Sequence, residues 1–554
     1  MVATAADTEP EVPAEPVRRR RISRAWLLRL AAAAASGFVF YLSFAPRPLW
    51  WLAPLAFAGF GLVLHGRRFR GGFGYGFVFG LAFFLPLLTW LLDFLGPDFG
   101  PWPWLGLCLA LSVYFGLAGW LVTVVSRLPL APLWSALVFV ALETPRTWFP
   151  LGGFPWGRVA FSQPEGVFLP LASIGGAPLV GLAVCLTGFS LAALLVRLKS
   201  LKSTLRALKS LKVAFRDRRA IGTAVLTVVP IVAGLALWPT IGTSAQDGER
   251  TVAAVQGNAP DIGLALQGQR TLLRDNHLAE SERLLDDINH KRVPRPDLVI
   301  WPESATTVVG PDPQLDQLVA SFGVPALVGA LYRLPDGHSQ NSVIAWDPKN
   351  GPGQRYSKQQ LVPFGEYVPA RKIAEVVTPF IDAETVDMVP GTGANPALSV
   401  AQTKVGVFVC YETAFDYPAR ESVAAGAELL VVPTNNAWYG PGEMSYQQLA
   451  MSRLRAVEHS RAVVVSAVSG VSAIIAPDGS VTSSTGLFTA ESLVGRVPLR
   501  TQTTLSDRLG AWTEYGLLAL AIAGVAGGFV LRFRVRGAQR ARRAQRTGTG
   551  EAAG

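Results

Sequence analysis

Three short stretches of the chain carry groups that could do chemistry together. In KVGVFVCYE, the run Val405, Gly406, Val407, Phe408 and Val409 is apolar and partly β-branched, which predicts a short buried strand ending at Cys410. Tyr411 and Glu412 then switch the polarity abruptly. WPES puts Glu303 directly after the run LVIW, and YSKQQLVPFGEYVP carries Lys358 and Glu366. A thiol attacks a carbonyl well as thiolate, so a carboxylate must accept its proton and a fixed cation must steady the oxyanion that develops. Each residue alone has a plain alternative, a packed core cysteine or a solvated surface charge. In combination, at the ends of predicted strands, they read as a site for covalent acyl chemistry.

Other chemistries fit the sequence less well. His277, His290, His338 and His459 fall in helical or loop contexts away from strand ends, which leaves a carboxylate as the better base. The chain has three cysteines, Cys108, Cys185 and Cys410, and the first two lie in apolar runs of membrane-span length. Cys410 therefore has no partner in its own domain, which excludes a disulfide framework and a cysteine-based zinc site there. Neither a metal nor an organic cofactor is indicated.

The elements that must position these groups emerge from composition. Half of the 554 residues are hydrophobic and 16% are charged, a balance expected of a membrane protein. Apolar segments at about 25–44, 49–66, 72–95, 102–126, 129–146, 167–196 and 220–242 predict seven spans, and a run over about 509–533 predicts an eighth. Arg67, Arg68, Arg70, Arg127 and the dense run from Arg197 to Arg219 occupy alternate loops, so those loops and both termini are expected in the cytosol. The basic ends, 1–24 and 534–554, read as cytosolic tails, the first of them disordered. Within 25–242, the loop 197–219 spaces its lysines and arginines as an amphipathic helix on anionic headgroups would. The aromatic and glycine-rich loop at about 147–166 reads either as an interfacial belt or as the lining of a lipid entrance.

Residues 250–498 have the composition of a soluble α/β domain, expected outside the cytosol. Predicted strands at 251–255, 297–301, 325–329, 342–346, 404–410, 429–433, 462–467 and 472–476 alternate with helical patterns at 265–290 and 442–460, which argues for sheets covered by helices. Asp478 and Gly479 mark a hairpin turn. Between 250 and 500 there are 20 Lys and Arg against 25 Asp and Glu, so the net charge of +11 lies in the flanks and gives no reason to expect a nucleic-acid partner.

The order Glu303, Lys358, Cys410, each in its local signature, resembles the nitrilase or carbon–nitrogen hydrolase superfamily. With the membrane half and the motifs GGFPWG, VQGNAP, LVPFGEYVP, CYE and PTNNAWYG, the chain resembles the apolipoprotein N-acyltransferases. The resemblance implies a membrane α-helical bundle of about eight spans carrying an extracytoplasmic nitrilase-like αββα sandwich, in the cytoplasmic membrane of a bacterium. It implies Glu303 as general base, Lys358 as oxyanion stabiliser and Cys410 as nucleophile, with Glu366 and Glu412 in support and the Tyr411 backbone N–H as a further oxyanion donor. Asn435, Asn436, Trp438 and Tyr439 would contact substrate. The implied reaction moves an acyl chain from a membrane phospholipid, through a Cys410 thioester, to the α-amino group of the lipidated N-terminal cysteine of diacylglyceryl apolipoproteins, the last step of lipoprotein maturation. Loops at about 363–396 and 435–446 are candidate lids. Where the family often has a tryptophan after VQGNAP, this chain reads DIGLALQ. Two rival readings remain: a membrane-tethered amidase or nitrilase with water as acceptor, and a transporter or scaffold, which predicts ionisable groups in mid-span where the sequence has almost none.

Overall fold

The computed structural model describes residues 23–150, 152–208, 218–259, 261–369, 371 and 387–548. Its N-terminal half is a helical bundle: α1 (Arg24–Leu42), α2 (Leu52–Leu64), α3 (Phe69–Leu87), α4 (Trp90–Leu95), α5 (Trp102–Val125), α6 (Ala131–Ala141), α7 (Glu143–Arg146), α8 (Ala172–Leu208) and α9 (Arg218–Leu237). Aromatic rings fill the interior, where Phe40, Phe57, Phe79, Phe83, Phe115 and Phe139 interlock at centroid distances of 4.4 to 6.0 Å. α3 and α5 cross at backbone contact. A Cβ on Gly76 would sit 2.2 Å from the Phe115 carbonyl oxygen, and one on Gly119 would sit 2.3 Å from that of Gly72, so only glycine lets these helices approach.

Six helices among the described residues are long and apolar enough to cross a membrane: Arg24–Leu42, Phe69–Leu87, Trp102–Val125, Leu169–Lys199, Ala220–Thr240 and Trp512–Gln539. The segments expected at 49–66 and 129–146 form shorter helices. The 13 residues of α2 rise about 20 Å, against about 30 Å of bilayer core. The span expected over 72–95 is broken after Leu87, and α4 continues as a separate piece. Non-helical Gly175 and Gly176 set off the first turn of α8. The first half of the amphipathic helix expected at 197–219 continues α8 to Leu208, whereas 209–217 lie outside the described residues. So do 1–22 and 549–554 of the expected tails and 370 and 372–386 of the expected lid.

The second half contains β1 (Glu249–Gln256), α10 (Arg270–Asn289), β2 (Leu298–Ile300), β3 (Thr306–Val308), α11 (Pro313–Phe322), β4 (Ala326–Arg333), β5 (Ser339–Asp347), β6 (Gly351–Ser357), β7 (Ala397–Val400) and β8 (Thr403–Val407). It continues with α12 (Tyr417–Ala424), β9 (Leu429–Thr434), α13 (Met444–His459), β10 (Val463–Ala467), β11 (Ala473–Ile475), β12 (Val481–Ser484), β13 (Glu491–Pro498) and α14 (Leu505–Leu509). The last helix, α15 (Trp512–Gly548), returns the chain to the bundle and runs past residue 533, where the span was expected to end. The strands form a seven-stranded sheet in the order β13-β1-β2-β4-β5-β6, with β3 also on β4, and a six-stranded sheet in the order β12-β11-β10-β9-β8-β7.

Alternation along the strands builds the layers. Val252 and Ala254 of β1 meet Val405, Val407, Leu429 and Val431 of the other sheet in one core. Ala253 and Val255 point the opposite way, against Leu284 of α10 and Phe322 of α11. On the far side Phe408, Leu430 and Val432 pack on Ala419 and Val423 of α12 and Ala456 of α13. The result is a helix–sheet–sheet–helix sandwich. The Asp478–Gly479 turn joins β11 to β12 as expected, with Gly479 at φ 83°.

Candidate active site

β8 stops at Val407, three residues earlier than the sequence pattern suggests, because the chain leaves the ladder to place the cysteine. Cys410 has φ 50°, a left-handed conformation uncommon outside glycine, and opens a tight 3₁₀ turn over Cys410–Ala414. Thr413 Oγ1 closes that turn by donating to the Cys410 carbonyl at 2.8 Å. Glu303 follows β2, Lys358 follows β6 and Asn435 follows β9, so strand ends from both sheets converge on the thiol.

Lys358 Nζ donates to Glu303 Oε1 at 2.8 Å and to Glu366 Oε1 at 3.1 Å, with all three side chains nearly buried. Asn341 of β5 donates to both carboxylates at 2.6 Å. The Asn435 N–H donates to Glu303 Oε2 at 2.8 Å, and the Val362 N–H to Glu366 Oε2 at 2.7 Å. Glu303 is thereby aimed and Lys358 pinned. Burial works against the ammonium, but Glu303 and then Glu366 reverse this and hold Lys358 well above the usual lysine range. Glu303, Lys358 and Thr434 all act on the Cys410 thiol. Burial, followed by the Glu303 charge, pushes the thiol up to about 12, against the opposing pull of Lys358. At rest Cys410 is therefore a neutral thiol in a pocket that also holds the Glu303 carboxylate.

Glu412 is wholly buried and does not face the cavity. It accepts from the Val409 N–H at 2.6 Å, the Gln359 N–H at 2.7 Å and Tyr356 Oη at 2.9 Å, which ties the cysteine turn to the strand end bearing Lys358. Burial raises its carboxyl to about 7 although those backbone donors pull the other way. Tyr411 turns its hydroxyl to the Gly153 carbonyl at 3.0 Å, so its side chain anchors the turn to the aromatic loop.

The thiol opens into a cavity that Cys410, Glu303, Lys358 and Glu366 line together with Asn435, Trp438 and Tyr439. The bundle contributes to its lining: Phe94 of α4 lies 6.0 Å from the Trp438 ring and 5.2 Å from Tyr439. Asn436, expected at the substrate, is turned away; its amide donates to Gln448 Oε1 at 2.8 Å and touches Met444 Sδ, and it does not line the cavity. The segment 435–446 is thus a packed wall, with Tyr439 against Trp90 and Phe94, where a lid was expected. In place of a family tryptophan, Leu266, Arg270 and Leu273 supply the wall after VQGNAP. The aromatic loop is mortar between bundle and domain: Trp156 is buried, donates to Gln447 Oε1 at 2.7 Å and stacks on Tyr411 at 6.4 Å. Trp148 and Phe149 of the same loop stay exposed.

Asn341 and Tyr356 were not foreseen. Asn341 adjoins a predicted strand, and a side-chain amide in an otherwise apolar run is the one signal that could have marked it. His277, whose pKa is lowered to about 4 chiefly by burial, packs on Trp301 and takes no part. No metal-holding group of His, Cys, Asp or Glu occurs among the described residues.

A two-sheet sandwich with this constellation, fused to a membrane bundle, defines a carbon–nitrogen hydrolase domain on a membrane support. The family model for the apolipoprotein N-acyltransferase N-terminal domain matches residues 36–190, and that for carbon-nitrogen hydrolase matches 251–505. The apolipoprotein N-acyltransferase of Mycolicibacterium smegmatis is 39% identical over 521 residues, covering 90% of this chain and 84% of that protein. That of Azotobacter vinelandii is 31% identical over 511 residues, covering 88% and 93%. Among solved structures, Saccharomyces cerevisiae Nit3 of the nitrilase superfamily overlaps 46% of this chain and 93% of its own, at 18% identity and a TM-score of 0.34. The chain belongs to the apolipoprotein N-acyltransferase family.

Proposed function

We propose that the protein transfers an acyl chain from a membrane phospholipid to the α-amino group of the diacylglyceryl cysteine of apolipoproteins, by way of a thioester on Cys410. One observation carries this reading: the buried Glu303, Lys358 and Cys410 line a cavity that Phe94 of the membrane bundle also lines, so a lipid-anchored carbonyl can reach the thiol from the bundle side. In the first half-reaction Glu303 takes the thiol proton as Sγ attacks the ester carbonyl. Lys358 and the Tyr411 N–H steady the oxyanion, the ester C–O bond breaks, and Glu303 returns the proton to the departing lysophospholipid oxygen. In the second, the amine attacks the thioester, Glu303 accepts its proton, the C–S bond breaks and the thiol is re-formed as the amide leaves. Exclusion of water by the bundle wall lets the thioester outlive the exchange of substrates.

The orientation follows the same logic. Arg29 donates to the Val63 carbonyl at 3.2 Å, Arg197 to Thr223 Oγ1 at 2.7 Å and Arg532 to the Thr123 carbonyl, so bundle arginines bind the helix ends remote from the sandwich. That basic end faces the cytosol, with both termini, and the catalytic domain faces outward across the bacterial cytoplasmic membrane. The short α2 and α6–α7 complete eight crossings. The test is intact-protein mass spectrometry after incubation with phospholipid in detergent. A hydroxylamine-labile acyl adduct on Cys410, absent from Cys410→Ala, is expected; release of ammonia from small amides with no adduct would replace acyl transfer by amide hydrolysis.

A further inference from the structure

Arg270 is the first residue of α10 and lines the catalytic cavity beside Leu266 and Leu273. It forms no hydrogen bond or ion pair among the described residues. Other arginines of the domain are treated differently. Arg274, one turn further on, is held by Asp312 at 2.6 and 2.7 Å, and Arg371 by Asp387 at 2.6 Å. The charge that acts on Arg270 is another cation, Arg333 at the end of β4, whose guanidinium donates to the Gly337 carbonyl at 2.9 Å. Burial, then repulsion by Arg333, lowers the Arg270 guanidinium from its ordinary value. Glu303 and Glu366 do not compensate, since Lys358 and Asn341 already engage them.

An unpaired, partly desolvated guanidinium in a catalytic cavity is costly without an anion, and its planar fork matches the oxygens of a phosphate. The group must also lie near the reacting ester, and in a glycerophospholipid the phosphate sits on the same glycerol as the acyl esters. We propose that Arg270, backed by Arg333, binds the phosphodiester of the acyl donor and sets the preference for phospholipid. This rests on the acyl-transfer reading above and names the donor group it recognises. Leu266 and Leu273 flank the guanidinium with apolar surface, which suits a ligand whose charge and acyl chains are a few bonds apart.

The test compares two acyl donors with the full-length protein in detergent: phosphatidylglycerol, and a p-nitrophenyl ester of the same fatty acid, which has no phosphate. Cys410 thioester formation is followed for wild type, Arg270→Gln and Arg270→Lys. In Arg270→Gln the ratio of kcat/KM for phosphatidylglycerol to that for the nitrophenyl ester is expected to fall at least about tenfold, mainly through KM, with Arg270→Lys in between. Equal losses on both donors, or none on phosphatidylglycerol, would overturn the assignment. If sn-glycerol 3-phosphate suppresses the nitrophenyl reaction of wild type as strongly as phosphatidylglycerol does, the site binds free phosphate and the lipid assignment fails. If wild type accepts the nitrophenyl ester but takes no acyl chain from any phospholipid, the acyl-transfer reading itself falls and the Arg270 role falls with it.

Discussion

Arg158, in the loop that joins α7 to α8, donates through one nitrogen to both carboxylate oxygens of Asp416, at 2.8 and 2.9 Å, just beyond the Cys410 turn. Arg455 of α13 reaches the same carboxylate at 2.8 Å and donates through Nε to the Thr413 carbonyl at 3.1 Å. One buried acid thus couples a loop of the bundle to the back of the turn that displays Cys410.

Asp416→Asn should therefore loosen both halves. Breaking one partner of a buried ionic cluster costs about 3–5 kcal/mol, because the remaining charges are left uncompensated. Burial alone would raise the Asp416 carboxyl, but Arg158 and Arg455 override it and hold it far below the usual carboxylate range. A depressed folded-state pKa contributes stability above the unfolded value that is lost as the pH falls below it. Thermal unfolding in detergent should show a clearly lower Tm for Asp416→Asn at pH 7, with the gap to wild type narrowing below about pH 4. A Tm within error of wild type at pH 7 would dissociate this acid from the coupling.

Much of this arrangement was legible in the sequence, and the exceptions have physical reasons. The strands read from β-branched runs, β1, β2, β4, β5 and β8 to β11, recur within a few residues of their expected limits, since a strand buried on both faces must be apolar throughout. β3, β6, β7, β12 and β13 escaped because they are short or polar and stand at sheet edges or, for β3, off the main strand order. Glu303 and Cys410 stood out because each follows its own apolar run, whereas Lys358 follows the polar β6 and was read from the motif YSKQQLVPFGEYVP. Asn436 misled because it sits in the motif PTNNAWYG beside a true cavity residue; consecutive residues point in different directions, and the amide found Gln448 in the interior. The Arg158–Asp416 pair was invisible, since nothing local links residues so far apart in the chain.

The Lys358 cluster predicts a specific non-additivity. Lys358→Met leaves Glu303 and Glu366 facing one another across Asn341 with no cation between them. It should destabilise the protein by about 3–5 kcal/mol and abolish acyl transfer. Adding Glu366→Gln removes the repulsion, so the double variant should recover at least about 1 kcal/mol relative to additivity without recovering activity. Chemical or thermal denaturation of the four proteins measures the coupling. Strict additivity would mean that the two carboxylates do not sense one another.

Gly153 predicts how firmly the aromatic loop must be shaped. Its φ is 90°, and an added Cβ would lie 2.0 Å from the Thr147 carbonyl oxygen. The carbonyl of Gly153 receives the Tyr411 hydroxyl, so displacement of the loop is passed to the residue next to the nucleophile. Gly153→Ala should lose more than about 2 kcal/mol of stability and slow thioester formation, whereas Tyr411→Phe should slow it less. Parallel Tm and acylation measurements separate the two effects, and unchanged acylation in Gly153→Ala would show that the loop does not brace the turn.

The protonation state of Cys410 gives the sharpest test of the mechanism. With its thiol pushed up to about 12 by burial and by Glu303, thiolate is scarce at pH 7 and should increase about tenfold for each pH unit above it. Alkylation of Cys410 by iodoacetamide should climb through pH 9 without levelling off. In Glu303→Gln the negative charge that disfavours thiolate is gone while the pull of Lys358 remains, so the alkylation profile should move to lower pH. Acyl transfer should nevertheless fall at least about a hundredfold, because the amide cannot accept the proton during attack. Opposite changes in alkylation and transfer distinguish a base acting in the transition state from a group that merely tunes a standing thiolate. A wild-type profile that levels off near pH 7 would reverse the assignment and make Cys410 a preformed anion.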